Sequence, residues 1–119
     1  MILEFDITQS FSDDMANLPK PQRKKIENQI NLVSTSLLNG KTEFKENSSI
    51  PYIFNLKGGL ESSLYLIRAD QNNRMVVAVD EDPVFDKISL TFFRLVDKSK
   101  AEATYKQVGE DIYKKSGIL

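Results

Sequence analysis

Three arginines stand in or beside three apolar runs in the second half of the chain. Arg68 ends one run, Arg74 begins the next, and Arg94 lies inside the third. A guanidinium group is permanently charged and forms paired hydrogen bonds with phosphates and carboxylates. Three such groups on neighbouring strands can bind an anion, but they fit solvated strand ends equally well. The sequence alone leaves both interpretations open.

Arg94 has the most demanding position of the three. The alternation of the run 88–96 places it on the apolar face, together with Ile88, Leu90 and Phe92. An unpaired guanidinium there would be heavily penalised. We therefore expect a local bulge that turns Arg94 outward, or a concave site or carboxylate such as Asp80 within its reach. A structural ion pair is the more frequent explanation for such a charge.

Arg68 and Arg74 flank a turn of sequence Asp-Gln-Asn-Asn. If the two runs form a hairpin, each arginine lies within reach of the other across it. Two neighbouring guanidiniums repel unless an anion, such as a phosphate or a partner's carboxylate, sits between them. A solvated hairpin end remains the alternative for Arg74.

Other basic residues are weaker candidates. Lys57 precedes Gly58-Gly59 but lacks the spacing of a phosphate-binding loop, so a flexible connection is expected. Arg23 and Lys24 begin a predicted helix, where cations oppose the helix dipole. They form either a solvated face or a contact with an acidic partner or phosphates.

Lys98, Lys100 and Tyr105 stand where the last strand meets the last helix. Tyr105 also fits the apolar stripe of that helix, which favours core packing. The acidic segment Asp80–Asp86 lacks the spacing and glycine of a calcium-binding loop. It is expected to be a solvated loop, and no metal site is predicted.

Composition limits the possible chemistry further. The 119 residues fit a single domain, 1–119, and contain neither cysteine nor histidine. Disulfides, thiolate catalysis and a histidine base are therefore excluded, and no cofactor is predicted. The net charge is −1 and the pI about 5.5, which gives nucleic-acid binding no global support. The absence of a long apolar segment or basic leader predicts no membrane contact and a cytoplasmic location.

The hydrophobic pattern predicts an α+β fold. It consists of an N-terminal strand, a helical hairpin, a mostly antiparallel sheet of four or five strands and a C-terminal helix. In detail, Ser12 caps the first helix, Pro21 lies in the first turn of the second, and Asn39-Gly40 ends it. Residues 41–51 read as irregular and 52–56 as a short strand. A capping box at 99–102 opens the last helix.

This order of elements resembles the RelE/ParE superfamily of toxins from toxin–antitoxin systems. The resemblance covers nearly the whole chain. It rests on the helical hairpin PKPQRKKIENQI, on LKG, on LYLIRAD followed by RMVVAV, on a long strand and on a terminal helix with a tyrosine. Membership implies a small toxin that is neutralised by a cognate antitoxin protein, and it leaves the oligomeric state open.

The resemblance also implies roles for individual residues. RelE-type toxins cleave mRNA on the ribosome without a metal, and ParE-type toxins poison DNA gyrase. Arg74 matches the RelE-type arginine after the central turn, Tyr105 the helix tyrosine, and Lys98 and Lys100 the intervening basic residues. The expected catalytic residues are Arg74, Arg94, Lys98 and Tyr105. The expected RNA or partner contacts are Lys57, Arg68, Lys100, Arg23 and Lys24. The alternative is a non-catalytic member, either a gyrase inhibitor or a protein-binding module.

Overall fold

The computed structural model describes all 119 residues of the chain. The order of elements is β1 Ile2–Ile7, α1 Gln9–Ala16, α2 Lys20–Ser36, α3 Thr42–Asn47, β2 Ser48–Ser49, β3 Leu64–Arg68, β4 Asn73–Asp82, β5 Lys87–Asp97 and α4 Ala101–Lys115. Short 3₁₀ turns cover Lys57–Gly59 and Lys98–Lys100. None of the helices is both long and apolar enough to cross a bilayer.

The five strands form one sheet in the order β1-β5-β4-β3-β2. β1 pairs with β5 in parallel, and the other three pairings are antiparallel. The predicted α+β class and mostly antiparallel sheet are confirmed. Because β1 is followed by the helical hairpin before the chain returns to the sheet, it can lie parallel to the last strand.

The sheet separates two apolar clusters. One cluster joins the inner faces of α1, α2 and α3 to side chains such as Met75, Leu90 and Phe92. The other joins α4 to Leu64, Leu66 and Val76 on the opposite face. Strand β4 is buried on both faces over Met75–Ala78, as its uninterrupted apolar sequence predicts for a central strand.

The ends of the first two helices differ partly from the prediction. Thr8, not Ser12, caps α1, because its hydroxyl accepts from the Phe11 amide at 3.2 Å and donates to the Phe93 carbonyl at 2.9 Å. Pro21 lies in the first turn of α2, as predicted. The helix ends at Ser36, three residues before the predicted Asn39-Gly40 stop.

The segment between α2 and β3 was predicted wrongly. Residues 41–51 are not wholly irregular, since they contain α3 and β2. Phe44 is buried against Tyr65, and the backbone amide of Phe44 donates to the Ser36 hydroxyl at 3.0 Å. Residues 52–56 form no strand. They cross α4 as an extended strap in which Phe54 is buried. In each segment, the burial of one aromatic side chain outweighs the weak secondary-structure signal of the local sequence.

Two further boundaries need correction. The acidic segment is not wholly a loop, because β4 extends through Asp82 and only four residues form the turn to β5. No capping box opens α4. The Asp97 carboxylate instead accepts from the Ser99 amide at 2.8 Å, which caps the 3₁₀ turn preceding the helix.

Candidate nucleic-acid interface

The turn between β3 and β4 is organised by Asp70. Its carboxylate accepts from the backbone amides of Asn72 at 2.8 Å and Asn73 at 2.7 Å, and from the Gln22 side chain at 3.2 Å. Partial burial would raise the pKa of Asp70, but these hydrogen bonds to the charged carboxylate outweigh it and hold the pKa below its usual value. The Gln22 contact also fixes the start of α2 beside this turn.

Arg68 and Arg74 lie directly opposite each other on β3 and β4. The neighbouring pair is hydrogen-bonded, with the Ala69 amide donating to the Asn73 carbonyl at 3.0 Å. The arginines therefore occupy a non-hydrogen-bonded position, where opposing Cα atoms are about 4.5 Å apart and like charges destabilise the sheet. Alternation along the strands places both arginines on the face that α4 covers.

The Arg74 guanidinium is held in place by backbone oxygens. Its Nη1 donates to the Asp70 carbonyl at 2.9 Å and to the Asn73 carbonyl at 3.0 Å. Neither arginine takes part in any of the four ion pairs of the chain. The turn thus orients one guanidinium and leaves two adjacent positive charges without a carboxylate, an arrangement that suits an anion.

Basic residues from two other elements reach the same end of the sheet. The Lys98 amide donates to the Asn72 carbonyl at 2.8 Å, which places the 3₁₀ turn Lys98–Lys100 beside the hairpin turn. Lys25 of α2 borders a 350 Å³ cleft with Asp70 and Asn72. We name this region the basic end. It contains eight of the 16 lysines and arginines: Lys20, Arg23, Lys24, Lys25, Arg68, Arg74, Lys98 and Lys100.

A β-bulge turns Arg94 towards Asp14 of α1. Val76 pairs with Arg94 but Val77 pairs with Phe92, so Phe93 is the extra residue and the alternation shifts by one. The Arg94 guanidinium makes two hydrogen bonds with the Asp14 carboxylate, at 2.8 and 3.2 Å, which raise its pKa further. The expected bulge and carboxylate are thus both present, with Asp14 rather than Asp80 as the partner.

Tyr105 is a core residue. Its side chain has no exposed surface, and its hydroxyl donates to the Leu64 carbonyl at 2.7 Å. Burial raises the pKa of this phenol to about 12. The expectation that Tyr105 packs in the core is confirmed. A catalytic role for Tyr105 and Arg94 stays a prediction, since Tyr105 is buried and Arg94 is paired with Asp14.

The remaining candidates divide between the two ends of α4. Lys100 and Arg94 both border a 590 Å³ groove between α4 and β5. Lys57 lies at the far end of the helix, where its amide donates to the Ile118 carbonyl at 2.6 Å. Lys57 is therefore separated from the arginine pair by most of the length of α4, which is about 22 Å for 15 residues.

We compared the chain with known proteins. No protein-family model matches it, and no curated protein does. Three chains of solved structures match it, among them the following two. The YoeB dimer from Staphylococcus aureus is 20% identical over 76% of this chain and 93% of its own, with a TM-score of 0.43. The YoeB/ParE toxin from Agrobacterium tumefaciens is 17% identical over 79% of this chain and 97% of its own, with a TM-score of 0.45.

At these TM-scores the likenesses carry no argument about activity. The fold is therefore described by its own strand order and pairings, and the function is inferred from the residues of the basic end.

Two important side chains were not identified from sequence. The Asp70 turn had a readable signal, because an aspartate followed by two asparagines is typical of a side-chain-capped turn. The choice of Asp14 as the partner of Arg94 had none, since the two residues are 80 positions apart and meet only through the pairing of β1 with β5 and the packing of α1 on β5.

Proposed function

We propose that this protein is the toxin of a toxin–antitoxin pair and that it acts on RNA through the basic end. The sequence resemblance supports the toxin assignment. The observation that carries the RNA assignment is the directly opposed, acid-free pair of Arg68 and Arg74. The proposal requires a cognate antitoxin, and it places the protein in the cytoplasm with the ribosome and mRNA as its targets.

The chemistry of the proposal is metal-independent cleavage of a phosphodiester. Attack by a ribose 2′-hydroxyl, which loses its proton, creates a crowded, negatively charged phosphorane that a fixed guanidinium stabilises. The P–O5′ bond then breaks, which leaves a 2′,3′-cyclic phosphate and a 5′-hydroxyl that takes its proton from water. Arg74 supplies the fixed guanidinium because two carbonyls already orient it. Lys98, which the sheet positions beside the turn, is the candidate for assisting proton removal from the 2′-hydroxyl. Arg68 and Lys100 are assigned to phosphate binding.

A second function is favoured by a separate observation. Arg94 is engaged by Asp14 and Tyr105 is buried, so two of the expected catalytic groups already have structural partners. A non-catalytic toxin of the same fold, such as a gyrase inhibitor or a protein-binding module, needs neither of them. In that case the basic end would bind a partner without cleaving RNA.

Controlled induction in a bacterial host separates the two functions. Growth and mRNA 5′ ends are compared for the wild type, Arg74→Ala and Lys115→Ala at matched protein levels. Lys115 is an exposed lysine near the opposite end of α4 and serves as the charge-matched control. We expect Arg74→Ala to abolish both growth arrest and new 5′ ends, while Lys115→Ala behaves as wild type. Growth arrest without new 5′ ends in the wild type would instead support the non-catalytic toxin.

A further inference from the structure

An exposed apolar corner lies at the end of the molecule opposite the basic end. The turn between β4 and β5 presents Val84 and Phe85 with 82% and 71% of their surface exposed. Met1 and Ile2, at the start of β1, are also mostly exposed, and the Ile2 amide donates to the Asp86 carbonyl at 3.0 Å. Four large apolar residues that are exposed side by side are typical of a protein-binding site.

The corner is held in a fixed conformation. The Asp82 carboxylate accepts from the amides of Val84 at 3.0 Å and Phe85 at 3.2 Å, and the Met1 ammonium group pairs with Asp86 at 3.3 Å. The side chains of Val84 and Phe85 are therefore presented at defined positions. A partner would bind them with little loss of conformational entropy.

The surroundings of the corner are acidic. Asp80 and Asp82 take part in none of the chain's ion pairs, and they share a face of the sheet with Glu4. The positive charges nearby are already paired, Lys87 with Glu4 and Lys41 with Glu81. Electrostatic complementarity thus requires a partner surface with lysine or arginine around its apolar contact.

Two contacts with a second copy of this chain, one through the same corner and one through the basic end, do not meet these requirements. A symmetric contact through the corner would place Asp80 and Asp82 of one copy against the same acids of the other, which disfavours association. A head-to-tail contact with the basic end would bring Phe85 to the cleft beside the β3–β4 turn. The cleft there is lined by Pro19, Pro21 and polar residues, and it offers no apolar pocket for Phe85.

We propose that the corner formed by Met1, Ile2, Val84 and Phe85 docks into an apolar pocket of a different protein whose rim carries lysine or arginine. Phe85 fills the pocket, and the acids of the β4–β5 hairpin pair with the basic rim. This surface is separate from the basic end, so the inference stands whether or not the protein cleaves RNA.

Site-specific photocrosslinking in the native host identifies the partner. A benzoylphenylalanine at position 85 is compared with one at Ile53, which is 78% exposed but lies outside the acidic hairpin. We expect position 85 alone to crosslink to one protein, at a peptide that contains apolar residues and lysine or arginine. Crosslinks to a second copy of the chain, or none at position 85, would overturn the proposal.

The identified protein is then purified and titrated against variants. We expect Phe85→Ser to weaken binding at least about tenfold, as for a central anchor of an interface. Asp82→Asn and added salt should weaken it by a smaller factor, and Ile53→Ser should not change it. Thermal unfolding of each variant controls for folding. Affinity that is unchanged in Phe85→Ser, or insensitive to salt, contradicts the proposed docking.

Discussion

Individual hydrogen bonds determine which polar residues are available for chemistry. Arg94 and Tyr105 both carry groups that can act on a phosphodiester, yet Asp14 and the Leu64 carbonyl engage them. Arg74 differs because its partners are neutral carbonyls, which orient the guanidinium without neutralising it. The hydrogen-bond partners of these three residues therefore determine which of them is available to bind a phosphate.

Replacement of Tyr105 by Phe separates a structural role from a catalytic one. The variant leaves the buried Leu64 carbonyl unpaired, so we expect a loss of about 1–2 kcal/mol in the free energy of unfolding. Growth arrest at matched protein levels should persist. Urea denaturation and induction assays measure the two effects, with the half-buried Tyr65→Phe as control. Wild-type stability together with lost toxicity would indicate a catalytic tyrosine.

Replacement of Asp70 by Asn tests the turn through the pH dependence of stability. Because the pKa of Asp70 is lower in the folded protein than in the unfolded chain, its contribution is present above about pH 4 and declines as pH falls through the folded-state pKa. We expect Asp70→Asn to cost about 1 kcal/mol at pH 7. Urea midpoints from pH 7 to pH 2 should show this difference shrinking in acid. A constant difference across that range would contradict the assigned hydrogen bonds.

At the scale of elements, repeating hydrophobic patterns in the sequence predict strands correctly. Segments that are held in place by one buried side chain are missed. Alternation identified β1 and β5, the turn residues Asp70–Asn73 identified the hairpin of β3 and β4, and the apolar run identified β4 as central. α3 and the strap were missed because each is held by a single aromatic residue, Phe44 or Phe54, whose partners are distant in sequence. The bulge at Phe93 was foreseen only as a way to resolve the position of Arg94, since its location depends on pairing with β4.

The strap and α4 meet at Gly109. A Cβ atom at this position would overlap the Phe54 ring, which lies between Tyr105 and Tyr113. Alanine normally stabilises a helix by about 1 kcal/mol relative to glycine. Here we expect Gly109→Ala to destabilise the protein by about 1–3 kcal/mol, because the close packing cannot accommodate a methyl group.

A double-mutant cycle tests this contact. Phe54→Leu alone should destabilise the protein, but it should reduce the additional cost of Gly109→Ala, since the smaller side chain leaves room for the methyl group. Thermal unfolding of the four proteins gives the coupling energy. A higher melting temperature for Gly109→Ala alone would show that the strap does not pack against α4 as described.

For the whole molecule, the positions of the charged residues matter more for nucleic-acid binding than the net charge. The net charge of −1 argues against nucleic-acid binding, but β4 runs from Arg74 at the basic end to Asp82 beside the apolar corner, about 27 Å away. The paired arginines and the unpaired acids of β4 thus lie at opposite ends of the sheet, although each end also carries some charges of the other sign. This separation could not be read from sequence, because the basic end combines α2, the β3–β4 turn and the start of α4.

The salt dependence of RNA affinity tests the central claim most directly. Fluorescence anisotropy of a labelled single-stranded RNA is measured at increasing KCl for the wild type, Arg68→Ala, Arg74→Ala and the control Lys115→Ala. Each lost phosphate contact should lower the slope of log affinity against log salt by about 0.7. We predict that Arg68→Ala and Arg74→Ala bind more weakly with this smaller slope, whereas Lys115→Ala matches the wild type. Equal affinity and slope in all four proteins would contradict RNA recognition by the basic end.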